Sequence, residues 1–372
     1  MNEDFEKFAN EVKDRIFENS GDRDNLDIEL RHVQKVNQQD LLSLTVKPKD
    51  SNIAPSVYLN SAFEAYQEGQ SMENILHSLE NTITEHSIAD KIDVDFISKF
   101  EGVKDQIFPK LINKDMNNEL LDKVPHYDLG DLAVLFYVKI ENPQFGGGSV
   151  TVNDQIFEQW GVDDKTVMDA AMKNLKDNTQ CKDLFGFIQE IAPGLNDAFE
   201  TDVPVDKSPI ILSTDSQMFG AAAILNEDIM KGLCDRVGGD IVIIPSSIHE
   251  CLILGDENTP DQERALNQMV HEVNTTTVAQ EDLLSEHVYH FNGEELMYKE
   301  IPLNASLETI ENTPFTNLDL VSAQTGDIYH MGKEEKEAEQ GKGITADKSQ
   351  EKNAVVNIDD KKHGNKRDEL AM

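Results

Sequence analysis

Apolar residues recur at Phe5, Phe8, Val12 and Ile16 with charges between them, a spacing that predicts a helix with one buried face. Ile28 and Leu30, then Leu42, Leu44 and Val46, alternate with polar residues. That period of two predicts a pair of half-buried strands joined by the polar turn Asn37-Gln38-Gln39-Asp40. An extended piece from Pro55 to Leu59 leads into a short helix, Ser61 to Glu68, stopped by Gly69. Ser71 then caps a helix whose apolar face is Met72, Ile75, Leu76, Leu79 and Ile83.

Beyond this segment the pattern weakens and then returns. Ile107 to Ile112 reads as an edge strand, because Pro109 has no N–H to give a central ladder. Leu132 to Val138 is a continuous apolar run of strand length, as in a strand buried on both faces. Phe145-Gly146-Gly147-Gly148-Ser149 reads as a hairpin connection to a short strand. A helix then ends at Trp160 with Gly161 as its stop, and the next buries Val167, Met168, Ala171, Met172 and Leu175. Residues 176–207 are polar and loop-rich, with one helix predicted near Phe185 to Ile191.

The clearest unit follows. Ile210 to Leu212 is a strand, and Asn226 caps a helix carrying Ile229, Met230, Leu233 and Val237 that ends at Gly238-Gly239. Ile241 to Ile244 and Cys251 to Leu254 are strands around Pro245-Ser246-Ser247. Thr259-Pro260-Asp261-Gln262 combines a capping box with proline at the first helical position. The helix it opens is expected to bury Leu266, Met269, Val270 and Val273, and a last strand runs from about His287 to Phe291.

The expected fold class is therefore α+β. Two α+β units, residues 1–127 and 128–327, each hold a mixed or antiparallel sheet flanked by helices. Residues 328–372 are rich in Lys, Glu, Gln, Gly and Asp and bury too little apolar surface to offset ordering entropy, which predicts a disordered charged tail.

Certain residues resemble a known family: Ala54-Pro55-Ser56-Val57-Tyr58-Leu59-Asn60, Gly220-Ala221-Ala222-Ala223-Ile224-Leu225, Ile244-Pro245-Ser246-Ser247-Ile248-His249-Glu250 and Val270-His271-Glu272-Val273-Asn274. Together they resemble the bacterial domain-of-unknown-function family 5688 over most of residues 1–292. A fainter similarity, from about Leu132 to Leu254, is to the domain-of-unknown-function family 1444. The first resemblance implies a bacterial, cytoplasmic origin, mainly in anaerobic gut Firmicutes and often near mobile-element genes. Neither family carries an activity to transfer.

Charge changes the picture of partners. The chain holds 33 Lys and Arg against 71 Asp and Glu, a net of -38, and residues 1–330 carry 24 against 61 of these. A surface this negative repels phosphate backbones, so no direct nucleic-acid contact is expected. Solubility is the plain reading, and a DNA mimic that occupies a basic protein is the sharper one. The three cysteines, Cys181, Cys234 and Cys251, form no Cys-x-x-Cys, which fits a reducing compartment. The polar start of the chain and its short apolar runs predict neither a secretory leader nor a membrane span.

Candidate chemistry centres on serine and histidine. Ser247, His249 and Glu250 lie together at a strand junction, where a hydrolase could assemble a nucleophile and base. No Gly-x-Ser-x-Gly elbow marks the serine, and a turn fixed by Pro245 explains the same residues. His249, His287 and His290 are the candidate metal ligands, but His249-Glu250 and His287/His290 point to opposite faces if extended. His271-Glu272 does not extend to His-Glu-x-x-His and lies off its helix's apolar face. The glycine run 146–148 lacks the Gly-Lys-Ser/Thr of a phosphate loop. No cofactor is implied. The favoured expectation is a non-enzymatic binding or accessory protein with another protein as partner; the alternative is a hydrolase or metal-dependent enzyme at Ser247, His249 and Glu250.

Overall fold

The computed structural model describes residues 3–21, 23–34, 37, 40–49, 56–87, 96–142, 146–184 and 208–318. The first sheet is a meander of three antiparallel strands, β1 (Leu26–Gln34), β2 (Asp40–Pro48) and β3 (Ser56–Tyr58). Helices α1 (Glu3–Asn19), α2 (Asn60–Gln67) and α3 (Met72–Ser87) share its core. Phe5, Phe8, Val12 and Ile16 of α1 meet Leu42, Leu44 and Val46 of β2 and Ile75, Leu76, Leu79 and Ile83 of α3 in one apolar cluster, as the two periodicities require.

The tip of the β1–β2 hairpin is tied down by Asn37. It holds a left-handed backbone (φ 62°), which its short amide side chain tolerates, and it is 1% exposed. Its N–H donates to Asn117 Oδ1 at 2.6 Å, and Asn117 Nδ2 returns a bond to Asn37 Oδ1 at 2.8 Å. Asn37 Nδ2 donates to the carbonyls of Gln280 and Leu283 at 2.7 and 2.8 Å.

The second sheet centres on β6 (Leu132–Asn142), flanked on one side by β4 (Ile107–Asn113) and on the other by β5 (His126–Leu129) and β7 (Gly146–Thr151). Pro109 lies in the edge strand β4, and Leu132 to Val138 are all buried, as expected. Two expectations need correction. Gly146-Gly147-Gly148 is not a connection but the start of β7, because β6 runs on to Asn142 and its backbone supplies the pairing that the glycines' side chains cannot. The boundary expected between Tyr127 and Asp128 falls inside β5, and β4 pairs with β6 across it. The long-range ladder thus joins residues 107–127 to the C-terminal part. The largest apolar cluster runs from Ile97 to Leu318, separate from that of residues 5–83.

Helices α4 (Phe100–Val103), α5 (Asn118–Leu121), α6 (Asp154–Trp160) and α7 (Asp164–Asn178) surround this sheet. Asn153 and Asp163 cap α6 and α7, and Gly161 ends α6 in the left-handed conformation (φ 63°). Trp160 is buried with its Nε1–H donating to the Ile97 carbonyl at 2.7 Å.

The third sheet has seven strands, with β8 (Thr179–Asp183), β9 (Ile210–Thr214), β10 (Ile241–Ile244), β11 (Cys251–Gly255), β12 (Tyr289–Phe291), β13 (Leu296–Tyr298) and β14 (Thr316–Leu318) in the order β14-β13-β12-β10-β11-β9-β8. Every described strand pairing is antiparallel. Strand β8 falls in a stretch expected to be loop. A 3₁₀ turn (Gly220–Leu225), α8 (Glu227–Val237), α9 (Pro260–Thr276) and α10 (Leu307–Asn312) complete the described elements around it. The helix expected near Phe185 to Ile191 and the tail over 328–372 lie outside the described residues.

Helix α9 departs from its expected face. Its buried residues are Glu263, Asn267, Val270 and Asn274, whereas Met269 is 38% exposed. Those four positions recur at i, i+4, i+7 and i+11 and form one helical stripe. The polar members are buried because each has a partner: Asn274 Nδ2 donates to the Ser285 carbonyl at 2.9 Å, and Asn267 Nδ2 to Glu263 Oε1 at 2.8 Å.

Candidate functional site

The turn between β10 and β11 carries the expected serine and histidine. Ser247 Oγ accepts the backbone N–H of His249 at 3.0 Å, so it braces the turn rather than facing the imidazole. The His249 ring is held from both sides. Its Nδ1 accepts the Phe219 N–H at 3.3 Å, which places the proton on Nε2, 3.2 Å from Asp282 Oδ1. The ring also stacks on Phe219, with centroids 5.8 Å apart and planes 17° apart. A base must offer a ring nitrogen to its nucleophile, and both nitrogens here are engaged elsewhere. Glu250 lines a small cleft with Gln180, Lys182, Ser213 and Gln217.

Strain gathers beside this turn. Gln217 and Phe219 both take left-handed φ angles, 54° and 51°. A Cβ on the next residue, Gly220, would stand 2.1 Å from Ser213 Oγ and 2.4 Å from the His249 carbonyl oxygen, so only glycine fits. Ser213 Oγ donates to that same carbonyl at 2.8 Å. Beneath the Phe219 ring, the buried Lys110 Nζ sits 4.9 Å from the centroid and 2.9 Å from Thr151 Oγ1.

His290 lies elsewhere, on β12. It pairs with Val242, itself opposite Leu254, so it is two strands from β11 (about 10 Å) and level with a residue well beyond His249. Its Nδ1–H donates to Asp256 Oδ2 at 2.7 Å, and its Nε2 lies 2.8 Å from Glu263 Oε2, close enough to pair in charge though not in line for a hydrogen bond. All three side chains are at most 8% exposed, and Phe315 covers the imidazole edge-on at 5.0 Å. Burial alone would lower the pKa of His290, but the two carboxylates outweigh it and raise the value to about 9. Burial likewise opposes the charge of Asp256, and the bonds from His290 and the Asn258 N–H overcome it to hold that carboxyl below its ordinary range. The result is an imidazolium clamped between two carboxylates, with no nitrogen lone pair left for a metal.

His287 lies beside Tyr298, ring centroids 4.7 Å apart, and the exposed His271 approaches Glu286 at 3.5 Å. The structure thus does not bring His249, His287 and His290 together. Among the described residues no group of three or more His, Cys, Asp or Glu is placed to hold a metal ion. Sequence reasoning missed Phe219, Lys110, Asp256, Glu263 and Asp282. For Glu263 a signal existed in the polar stripe shared with Asn267 and Asn274. For Lys110 and Asp282 none did, because their partners are far along the chain.

Fold and site together define an antiparallel α+β protein whose polar residues at the strand turns are bonded into the scaffold. Residues 5–293 match the model of a Family of unknown function (DUF5688), and the chain belongs to that family. The seven-stranded sheet continues past this stretch through β13 and β14. No curated protein and no solved structure matches the chain. Among the described residues, no helix is long and apolar enough to cross a membrane.

Proposed function

We propose that the chain is a non-enzymatic binding protein whose acidic surface receives a basic protein partner. The observation that carries this reading is the engagement of the turn: both His249 nitrogens are held by Phe219 and Asp282, and Ser247 Oγ by a backbone amide. The side chains best suited to chemistry hold the fold, while the chain as a whole carries a net charge of -38. Exposed Leu303 and Phe315 fall in a stretch of chain, residues 294–315, that also carries Glu294, Glu295, Glu300, Glu308 and Glu311, a mixture of apolar and acidic groups suited to a basic, partly apolar surface. A bacterial cytoplasmic setting belongs to the same proposal, since the three thiols are free, as in a reducing compartment.

The second reading is a hydrolase or metal-dependent enzyme at Ser247, His249 and Glu250. The left-handed Gln217 and Phe219 favour it, because backbone strain concentrates at functional sites. Affinity purification from a bacterial host at roughly 50 and 200 mM salt separates the two. The binding reading expects one stoichiometric basic protein that is lost at the higher salt. Covalent labelling by a serine-reactive phosphonate, abolished in Ser247→Ala, together with no captured partner, would overturn it in favour of the enzyme.

A further inference from the structure

Strand β1 is the outermost strand of its sheet, and no described strand pairs with its side away from β2. One bond sets the phase of its ladder. The Lys49 N–H donates to the Asn25 carbonyl at 2.9 Å, so by alternation Asp27, Glu29 and Arg31 turn their backbone groups toward β2. Leu26, Ile28 and Leu30 therefore aim their N–H and C=O groups outward. Their side chains pack against the cluster under α1, and Asp27, Glu29 and Arg31 occupy the opposite face.

Among the described residues every other edge strand is shorter than this one, the longest of them interrupted by a proline. Strand β4 carries Pro109, β3 and β14 have three residues each, and β8 has five. Strand β1 runs nine residues in unbroken register with no proline. A long edge of this kind invites another strand. Beside it Phe17, 40% exposed, lines a groove with Leu26 and Ile28 whose rim carries Lys13, Asp14, Asp27 and Glu29.

We propose that β1 pairs antiparallel with β1 of a second copy, with Leu30 on the two-fold axis. The charge pattern selects both the occupant and the register. Arg31 donates from Nε and Nη2 to Glu29 Oε2 at 3.0 and 2.8 Å. With Leu30 on the axis, Glu29 faces the partner's Arg31 and Arg31 faces the partner's Glu29. Four charges of alternating sign then close a ring across the seam. Centring on Ile28 instead sets Asp27 against the partner's Glu29, and centring on Glu29 or Arg31 sets each against its own copy. Like charges directly opposite one another are destabilising. Opposite charges placed evenly about one residue are what a two-fold contact requires, and a contact of this type closes on itself. The product is a continuous six-stranded sheet with both α1 helices on one face and both Phe17 rings beside the seam. General repulsion between two acidic bodies is screened beyond ~8 Å at physiological salt, which leaves the seam to decide.

Sedimentation velocity on the full chain at physiological salt tests this. Glu29 and Arg31 are 55% and 36% exposed, so Glu29→Arg and Arg31→Glu leave the fold, checked by circular dichroism, in place. Wild type is expected to dimerise below about 100 µM, with each single variant at least tenfold weaker. Mixed in equal amounts, the two variants restore a dimer, because each supplies the charge the other lacks. A monomeric wild type at that concentration, single variants as dimeric as wild type, or a mixture that stays monomeric each overturns the proposal. The pairing does not depend on the identity of a basic partner.

Discussion

Replacing His290 by glutamine should destabilise the protein in a way that fades with rising pH. At neutral pH the substitution leaves Asp256 and Glu263 buried without their cation, and breaking a buried pair of this kind costs about 3–5 kcal/mol. The pH dependence follows from the imidazole. Its folded pKa is raised from 6.5 to about 9, so its contribution is complete below the unfolded value of 6.5 and is lost as the pH climbs through about 9. That rise corresponds to about 3 kcal/mol. Other groups titrate at alkaline pH as well: burial pushes the Cys251 thiol and the Tyr289 phenol upward, so unfolding gains from their ionisation. These groups remain in the variant, so the difference between wild type and His290→Gln isolates the imidazole. Urea unfolding of both proteins at about pH 6 and about pH 10 should show the gap narrowing by about 3 kcal/mol. An equal gap at both pH values would show that His290 is neutral in the native state and refute the clamp.

Asn37→Ala removes three side-chain bonds and sets a Cβ residue without an amide in the left-handed region; it should cost about 2–4 kcal/mol and open the β1–β2 hairpin to limited proteolysis. Gly220→Ala forces a Cβ within 2.7 Å of Ser213, His249 and Thr214 atoms and should lower the thermal midpoint by the equivalent of more than about 3 kcal/mol, or prevent folding. Thr259→Ala removes the acceptor of the Gln262 N–H that starts α9 and should cost about 1 kcal/mol in denaturant titration.

How much was legible follows from what each signal encodes. The caps Asn226 and Thr259 and the stops Gly161 and Gly238 were read correctly, because capping chemistry is local. The buried run Leu132 to Val138 was equally legible, since a strand covered on both faces leaves no polar alternation. The buried face of α9 was misread because counting apolar positions favours Met269 over Glu263, and the partner that makes Glu263 worth burying lies on β12. A short strand was expected after the glycines, but the glycine half of β7 was read as its connection for a related reason: that pairing is supplied by β6, not by side chains of its own. In the candidate site the serine and histidine were found, but not the Phe219 amide and Asp282 carboxylate that occupy the imidazole, which approach from 30 and 33 residues away.

The Asn37 tether has a consequence for synthesis on the ribosome. Its carbonyl partner at Leu283 is 246 residues downstream, so at 5–20 residues per second the hairpin tip waits about 12–50 s before its dock exists. The N-terminal sheet must persist through that interval with a polar, left-handed tip still hydrated. Placing asparagine there, rather than an apolar anchor, lets the nascent chain wait without presenting a sticky surface to its neighbours.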